Sequence, residues 1–374
     1  MLASLIRRRW PLALGAVALV VLVLGVALAV SGGGNGDTSL AAGEGPNDPA
    51  GASRGGASAQ ALGGDPDARV VVYNGRSHYG DEDAFEDFEA KTGIEVKLRG
   101  GTAPELFERL RREGEDTPAD LLVTTDLANL WRAEEAGLLE GVSTPTLQAN
   151  VPDRLRDPQG AWWALSTRIR TPVVSTDLPE GAVTSLEALG DPRFRGRTCL
   201  RTSTSEYNQS LVADMIAKRG MEATRALLRS WMANDPQILG SDGEQLGVMA
   251  AGDCQVGLSN HYYLGRALKE DPDFPVRPAW PDQDGAGAHT NVSGVGLVRW
   301  SNTDVNAVRL MEHLTAVDAQ RQITEGSEFA ANPDVPPAPH IRDWADVKLD
   351  PIAVEQAGPL LDEAVALMLE VGWE

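Results

Sequence analysis

Short apolar runs alternating with amphipathic helical patterns predict an α/β protein, built on a mainly parallel sheet covered on both faces. Three observations carry that prediction. The alternation recurs along the chain: RVVVYNG then DEDAFEDFEAKTG, EVKLRGG then TAPELFERLRREG, ADLLVTT then LANLWRAEEAGLL. Thr102 followed by Glu105 has the capping-box spacing that starts a helix. After GVGLVRWS, the stretch NTDVNAVRLMEHLTAVDAQRQITEG carries apolar residues at helical spacing and predicts one long helix.

Taken in order, the chain opens on MLASLIRRRW, with three arginines, and continues into PLALGAVALVVLVLGVALAV, which carries no charge. An uncharged apolar run of about 20 residues is long enough to cross a bilayer, and the arginines orient it with the rest of the chain outside the cytoplasm. Residues 1–30 therefore read as a membrane anchor or a signal segment, Ala27 and Ala29 offering a small-residue cleavage pattern. Residues 31–68 are rich in Gly, Ala, Ser, Asp and Pro without an aromatic residue, and read as a flexible linker. The folded part begins near Arg69. It has room for two domains at roughly 100 to 200 residues each, and further strands are expected over RTPVVST, RGRTCLRT and DCQVGLSN.

The charge balance narrows the partners. Asp and Glu total 54 against 33 Lys and Arg, a formal charge of -21. A phosphate backbone is repelled by such a chain, so nucleic acid is excluded as an expected partner, while a cation is mildly favoured. No nucleophile elbow, phosphate-binding GxxxxGK loop or HExxH motif occurs, which points away from an enzyme. The cysteines, Cys199 and Cys254, each fall in or at the start of an expected strand. In an oxidising compartment a disulfide is the simplest reading. Two buried thiols or a metal site are the alternatives, although no histidine or further cysteine stands at ligand spacing from either one.

The chain has five tyrosines and five histidines, and three of these ten stand together as His261, Tyr262 and Tyr263 in GLSNHYYLGR. A second stretch, VVVYNGRSHYGDED, holds Arg76, His78 and Tyr79. Each follows an expected strand. Because neighbours on a strand point to opposite faces, adjacent tyrosines converge only where the strand has ended. Phenol titrates near 10, so two phenols become good ligands only beside something strongly positive that displaces their protons. A hard, highly charged ion such as Fe(III) suits anionic oxygen. The plainer alternative is one core aromatic beside one rim aromatic.

From about Arg69 to the end, the chain resembles the substrate-binding proteins of ferric-iron ABC transporters. The stretches carrying the likeness are VVVYNGRSHYGDEDAFEDFEAKTGIEV, PADLLVTTDLANLWRAEEAGLLE, YNQSLVA, CQVGLSNHYYLGR, DQDGAGAHTNVSGVGLV and EFAANPDV. The resemblance implies the type II periplasmic-binding fold, with two lobes, hinge crossovers and an interlobe cleft. Lobe 1 is then residues 69–170 with about 290–335, and lobe 2 residues 171–289 with about 336–374. It implies a monomeric extracytoplasmic receptor that captures Fe(III) and delivers it to an ABC permease.

The tyrosines of the family's N-Y-Y motif map onto Tyr262 and Tyr263. The first-lobe ligands fall less cleanly: aligned without gaps, the family histidine meets Ser77 and its tyrosine meets His78, so His78 and Tyr79 ligate if the loop shifts by one residue. A further family tyrosine falls on Val174. A carbonate or phosphate ion beside the metal is expected at Arg168, from the L-S-x-R-x-R pattern, with Asn260 and Arg76. Trp131, Trp162 and Trp163 are expected to pack, His289 to line the hinge, and His313 and His340 to be structural. A small organic or phosphorylated solute is the alternative cargo, and a non-transport sensor or hydrolase on the same scaffold is a third possibility.

Overall fold

A computed structural model describes residues 69–76, 82–351 and 354–374. The anchor or signal segment, the linker, Ser77, His78 and Tyr79 lie outside those residues. No helix among the described residues is long and apolar enough to cross a membrane.

Strands β1 (Val70–Asn74), β2 (Val96–Gly100) and β3 (Leu121–Thr124) are parallel, with α1 (Glu82–Thr92) and α2 (Ala103–Glu113) between them and α3 (Leu127–Glu135) after β3. Every residue of β1 and β3 is buried, which is why both read as unbroken apolar runs. The capping box of α2 forms as expected: the Thr102 amide donates to Glu105 Oε2 at 2.9 Å, and the Glu105 amide to Thr102 Oγ1 at 3.4 Å. Trp131 of α3 packs over Gly358, where a Cβ would lie 2.4 Å from the indole.

After β4 (Leu139–Glu140) and α4 (Pro145–Asn150) comes β5 (Trp163–Ser175), all 13 residues of it buried. The strand expected over RTPVVST is only its far end. β5 is long because it serves two half-sheets. Its first part pairs antiparallel with β10 (Thr290–Val298) and β11 (Phe329–Ala330), and its second part with β8 (Val256–Asn260) and β9 (Val276–Pro278). The second half-sheet adds β6 (Thr198–Arg201), parallel to β7 (Gln237–Leu239) and to β8, with α5 (Glu206–Arg219), α6 (Met221–Met232), α7 (Asp242–Ala250) and α8 (His261–Glu270) around it. The order across both halves is β2-β1-β3-β10-β5-β8-β6-β7. Each half has its own apolar cluster, Trp163 buried in the first and Trp231 in the second.

The expected long helix is two helices, α9 (Asp304–Thr315) and α10 (Val317–Ile323). Ala316 is extended between them, at φ -73° and ψ 157°. The Thr315 hydroxyl donates to the Met311 and Glu312 carbonyls, closing the first helix on itself. The break turns Gln320 inward, where its side chain bonds the Leu314 carbonyl and the Ala331 amide. Two short terminal helices, α11 (Val354–Ala357) and α12 (Leu361–Glu370), complete the chain. Cys199 and Cys254 form a disulfide that ties β6 to the residues leading into β8, with 5.9 Å between their Cα atoms.

Candidate functional site

β8 ends at Asn260 and α8 begins with the next residue, so His261, Tyr262 and Tyr263 occupy one helical turn and point in different directions. Their fates differ accordingly. The His261 ring is buried beneath the hinge strand, where Nδ1 accepts from the Ile169 amide at 3.0 Å and the ring stacks on Phe329 at 4.6 Å. Burial pushes its pKa down to about 4, so the imidazole stays neutral and props β5 through its bond to Ile169.

The two phenols stack on each other at 4.4 Å, Tyr262 fully buried and Tyr263 half-buried. The Tyr262 hydroxyl donates across to that of Tyr207, 3.4 Å away in the first turn of α5. Tyr207 is the functional candidate that the sequence reading missed. Its signal was present in YNQSLVA, just past a strand, but a single tyrosine there has no adjacent partner to draw notice. The expected third phenol position, Val174, packs instead in the apolar cluster of the second half.

Guanidinium groups cover the cluster. Arg168 and Arg201 stand over the Tyr207 ring at 4.9 and 5.3 Å, and Arg266 over Tyr262 and Tyr263 at 5.0 and 5.8 Å. Arg266 reaches this position because Gly326 offers no side chain: a Cβ there would lie 2.6 Å from its Nη2, while Arg266 Nε donates to the Gly326 carbonyl. Gly265 likewise lets α8 close on Ser327, whose Cβ would be 2.7 Å from an added Cβ.

The expected anion residues separate into two groups. Arg76 and Arg168, both buried, share Ser293 Oγ at 2.6 and 2.8 Å, and Arg76 pairs with Glu328 at 3.0 Å. Burial pushes the Glu328 carboxyl up, but Arg76, Arg168 and the Ser166 hydroxyl outweigh it and hold the group below its ordinary range. Arg168 keeps Nε and Nη2 buried without a hydrogen-bond partner among the described residues. Asn260 belongs elsewhere, accepting from Arg170, which is itself paired with Asp242 at 3.1 Å. Burial and then the Asp126 carboxylate raise Glu206 above its ordinary range, against the Thr125 hydroxyl, Arg168 and Arg201. Among the described residues no group of three His, Cys, Asp or Glu is placed to hold a metal.

Residues 83–349 match the bacterial extracellular solute-binding protein family. The chain is a member of that family. This solute-binding protein is 37% identical to Iron uptake protein A1 of Synechocystis sp. over 317 residues, spanning 82% of this chain and 87% of that one. Among solved structures it resembles a Trichodesmium protein in complex with iron and citrate, at a TM-score of 0.75 and 32% identity, over 82% of this chain and all of that one. The ferric binding protein of Campylobacter jejuni is comparable, at 0.76 and 29% over the same shares. The solute-binding protein thus has the type II periplasmic-binding fold, with β5 and β10 running between its halves. Of the histidines, His289 does line the hinge, its carbonyl accepting from the Arg170 amide while Nδ1 meets Asp214 at 3.2 Å. A cavity of about 300 Å³ opens there between Arg170, Asp214, Lys218 and His289, away from the tyrosines.

Proposed function

We propose that this solute-binding protein captures ferric iron outside the cytoplasm, closes its two lobes around it and hands it to an ABC permease. The carrying observation is the convergence of Tyr207, Tyr262 and Tyr263 beneath guanidinium groups, in a chain whose relatives carry iron uptake and ferric binding in their names. A bound trivalent ion displaces the phenol protons. His78 and Tyr79 complete the ligand set from lobe 1, residues 69–170 with about 290–335, and the phenols belong to lobe 2, residues 171–289 with about 336–374. The unsatisfied donors of Arg168 suit a small oxyanion such as carbonate or phosphate beside the metal, with Arg76 behind it. Asn260 has a free amide nitrogen among the described residues and is the weaker candidate. Residues 1–30 anchor or export a monomer and 31–68 tether it.

Titration of the full chain with ferric citrate tests the reading. A visible tyrosine-to-iron band is expected for Fe(III), absent with Fe(II) and largely abolished in Tyr262→Phe. A colourless protein that instead binds an organic or phosphorylated solute would retain the fold assignment and reject the cargo.

A further inference from the structure

The two halves touch at one place whose chemistry serves neither the core nor the phenol cluster. Thr125 and Asp126 follow β3 at its carboxyl end in the first half, and Glu206 and Ser210 stand one turn apart on the same side of α5 in the second. Glu206 accepts from the Thr125 hydroxyl, and Ser210 donates its hydroxyl to Asp126 Oδ2. Asp126 is held rigidly for this purpose. Its Oδ1 caps α3 at the Ala128 amide, 2.9 Å away, and Oδ2 also accepts from Asn291 of the hinge strand at 2.7 Å. Thr125, Asp126 and Ser210 are all buried, and Ala128 is embedded in the apolar cluster of the opposite half. Each bond pairs a carboxyl oxygen of one half with a hydroxyl of the other, and both lie in the buried seam between them. Tyr207 lies between Glu206 and Ser210 in the same turn, so whatever fixes that turn against the first half also fixes the phenol cluster against it.

We propose that Thr125, Asp126, Glu206 and Ser210 form a clasp that holds the halves together without metal, making them positioning residues that set how long cargo stays. None of the four has to touch the ion. A closed state favoured in advance lowers the cost of completing the site, and losing the clasp shifts the population toward open.

The test uses the full chain with fluorophores on Glu108→Cys and Glu222→Cys, exposed positions of α2 and α6, the native cysteines being paired. In Ser210→Ala and Thr125→Val, energy transfer in the metal-free protein is expected to fall. Iron release to a chelator should quicken at least about tenfold, with the visible band unmoved. Ser210→Thr, which keeps the hydroxyl, should release slowly. Unchanged energy transfer with release within about twofold of the parent overturns the clasp, and so does a shifted band, which would put these groups in the ligand shell. Release rests on the ferric reading of the site. Energy transfer does not, so a parent that takes up no iron rejects that reading while the clasp is still judged on distance.

Discussion

The ends of β1 and β8 look like twins in the sequence, each an apolar strand running into Asn, a histidine and tyrosine. In the structure they do different work. The end of β8 passes directly into α8, so its tyrosines are fixed by helix geometry and meet Tyr207. At the end of β1, Arg76 turns back into the protein and joins Glu328, Ser166 and Ser293 in a buried network. The end of β8 gathers phenols beside Tyr207, and Arg76 at the described end of β1 braces β5 and β10. The difference follows from what comes next: a helix projects successive side chains outward around a turn, whereas an arginine in a turn is free to fold back onto whatever carboxylate is nearest.

The largest expected effect lies on the bracing side. Glu328→Gln leaves Arg76 and Arg168 buried without their carboxylate, and should cost about 3 to 5 kcal/mol in chemical unfolding of the metal-free protein. A loss under about 1 kcal/mol would mean that the network is dispensable and the comparison misplaced.

Next comes acid. His261 titrates at about 4 in the folded chain against an ordinary 6.5, so the unfolded state binds the proton first as pH falls. Stability should therefore drop between about pH 6.5 and 4, by about 3 kcal/mol from this group, and not change further through it below that window. His261→Gln should flatten that part of the curve in thermal melts against pH. If it does not, the imidazole is not the buried prop described above.

On the presenting side, Tyr207→Phe and Tyr262→Phe should leave stability within about 1 kcal/mol, since each removes one hydroxyl. Both should weaken ferric binding by about 100-fold or more, beyond what loss of an outer-shell partner costs. Tyr207→Phe is the sharper test, because Tyr207 reaches the cluster from a separate helix and has no adjacent tyrosine.

How much could be read in advance follows the same division. Strands buried on both faces, the capping box at Thr102 and the cysteine pair announce themselves because local rules decide them. The tyrosines at the end of β8 were legible for the same reason. Tyr207 and Arg201 were not, since they come from the first turn of α5 and the end of β6, and only the parallel pairing of β6 with β8 sets those strand ends side by side. The break at Ala316 was invisible to periodicity because the apolar spacing continues across it. Val174, where a further family tyrosine falls, sits in the apolar cluster of the second half, a placement that alignment along a strand does not give.

Asn260 carries the smallest and most discriminating expectation. Its Oδ1 is committed to Arg170, which also holds Asp242 and Asn208, while its Nδ2 has no partner among the described residues. If the side chain only supports Arg170, Asn260→Ser should cost about 1 kcal/mol of stability and leave ferric affinity equal with and without added carbonate. If Nδ2 faces an oxyanion, the stability change will be similar, but the gain in affinity from carbonate will shrink. Parallel titrations of parent and variant in carbonate-free and carbonate-containing buffer separate the two. Arg168→Lys is the control, since it keeps the charge and loses the paired donors that would grip an anion.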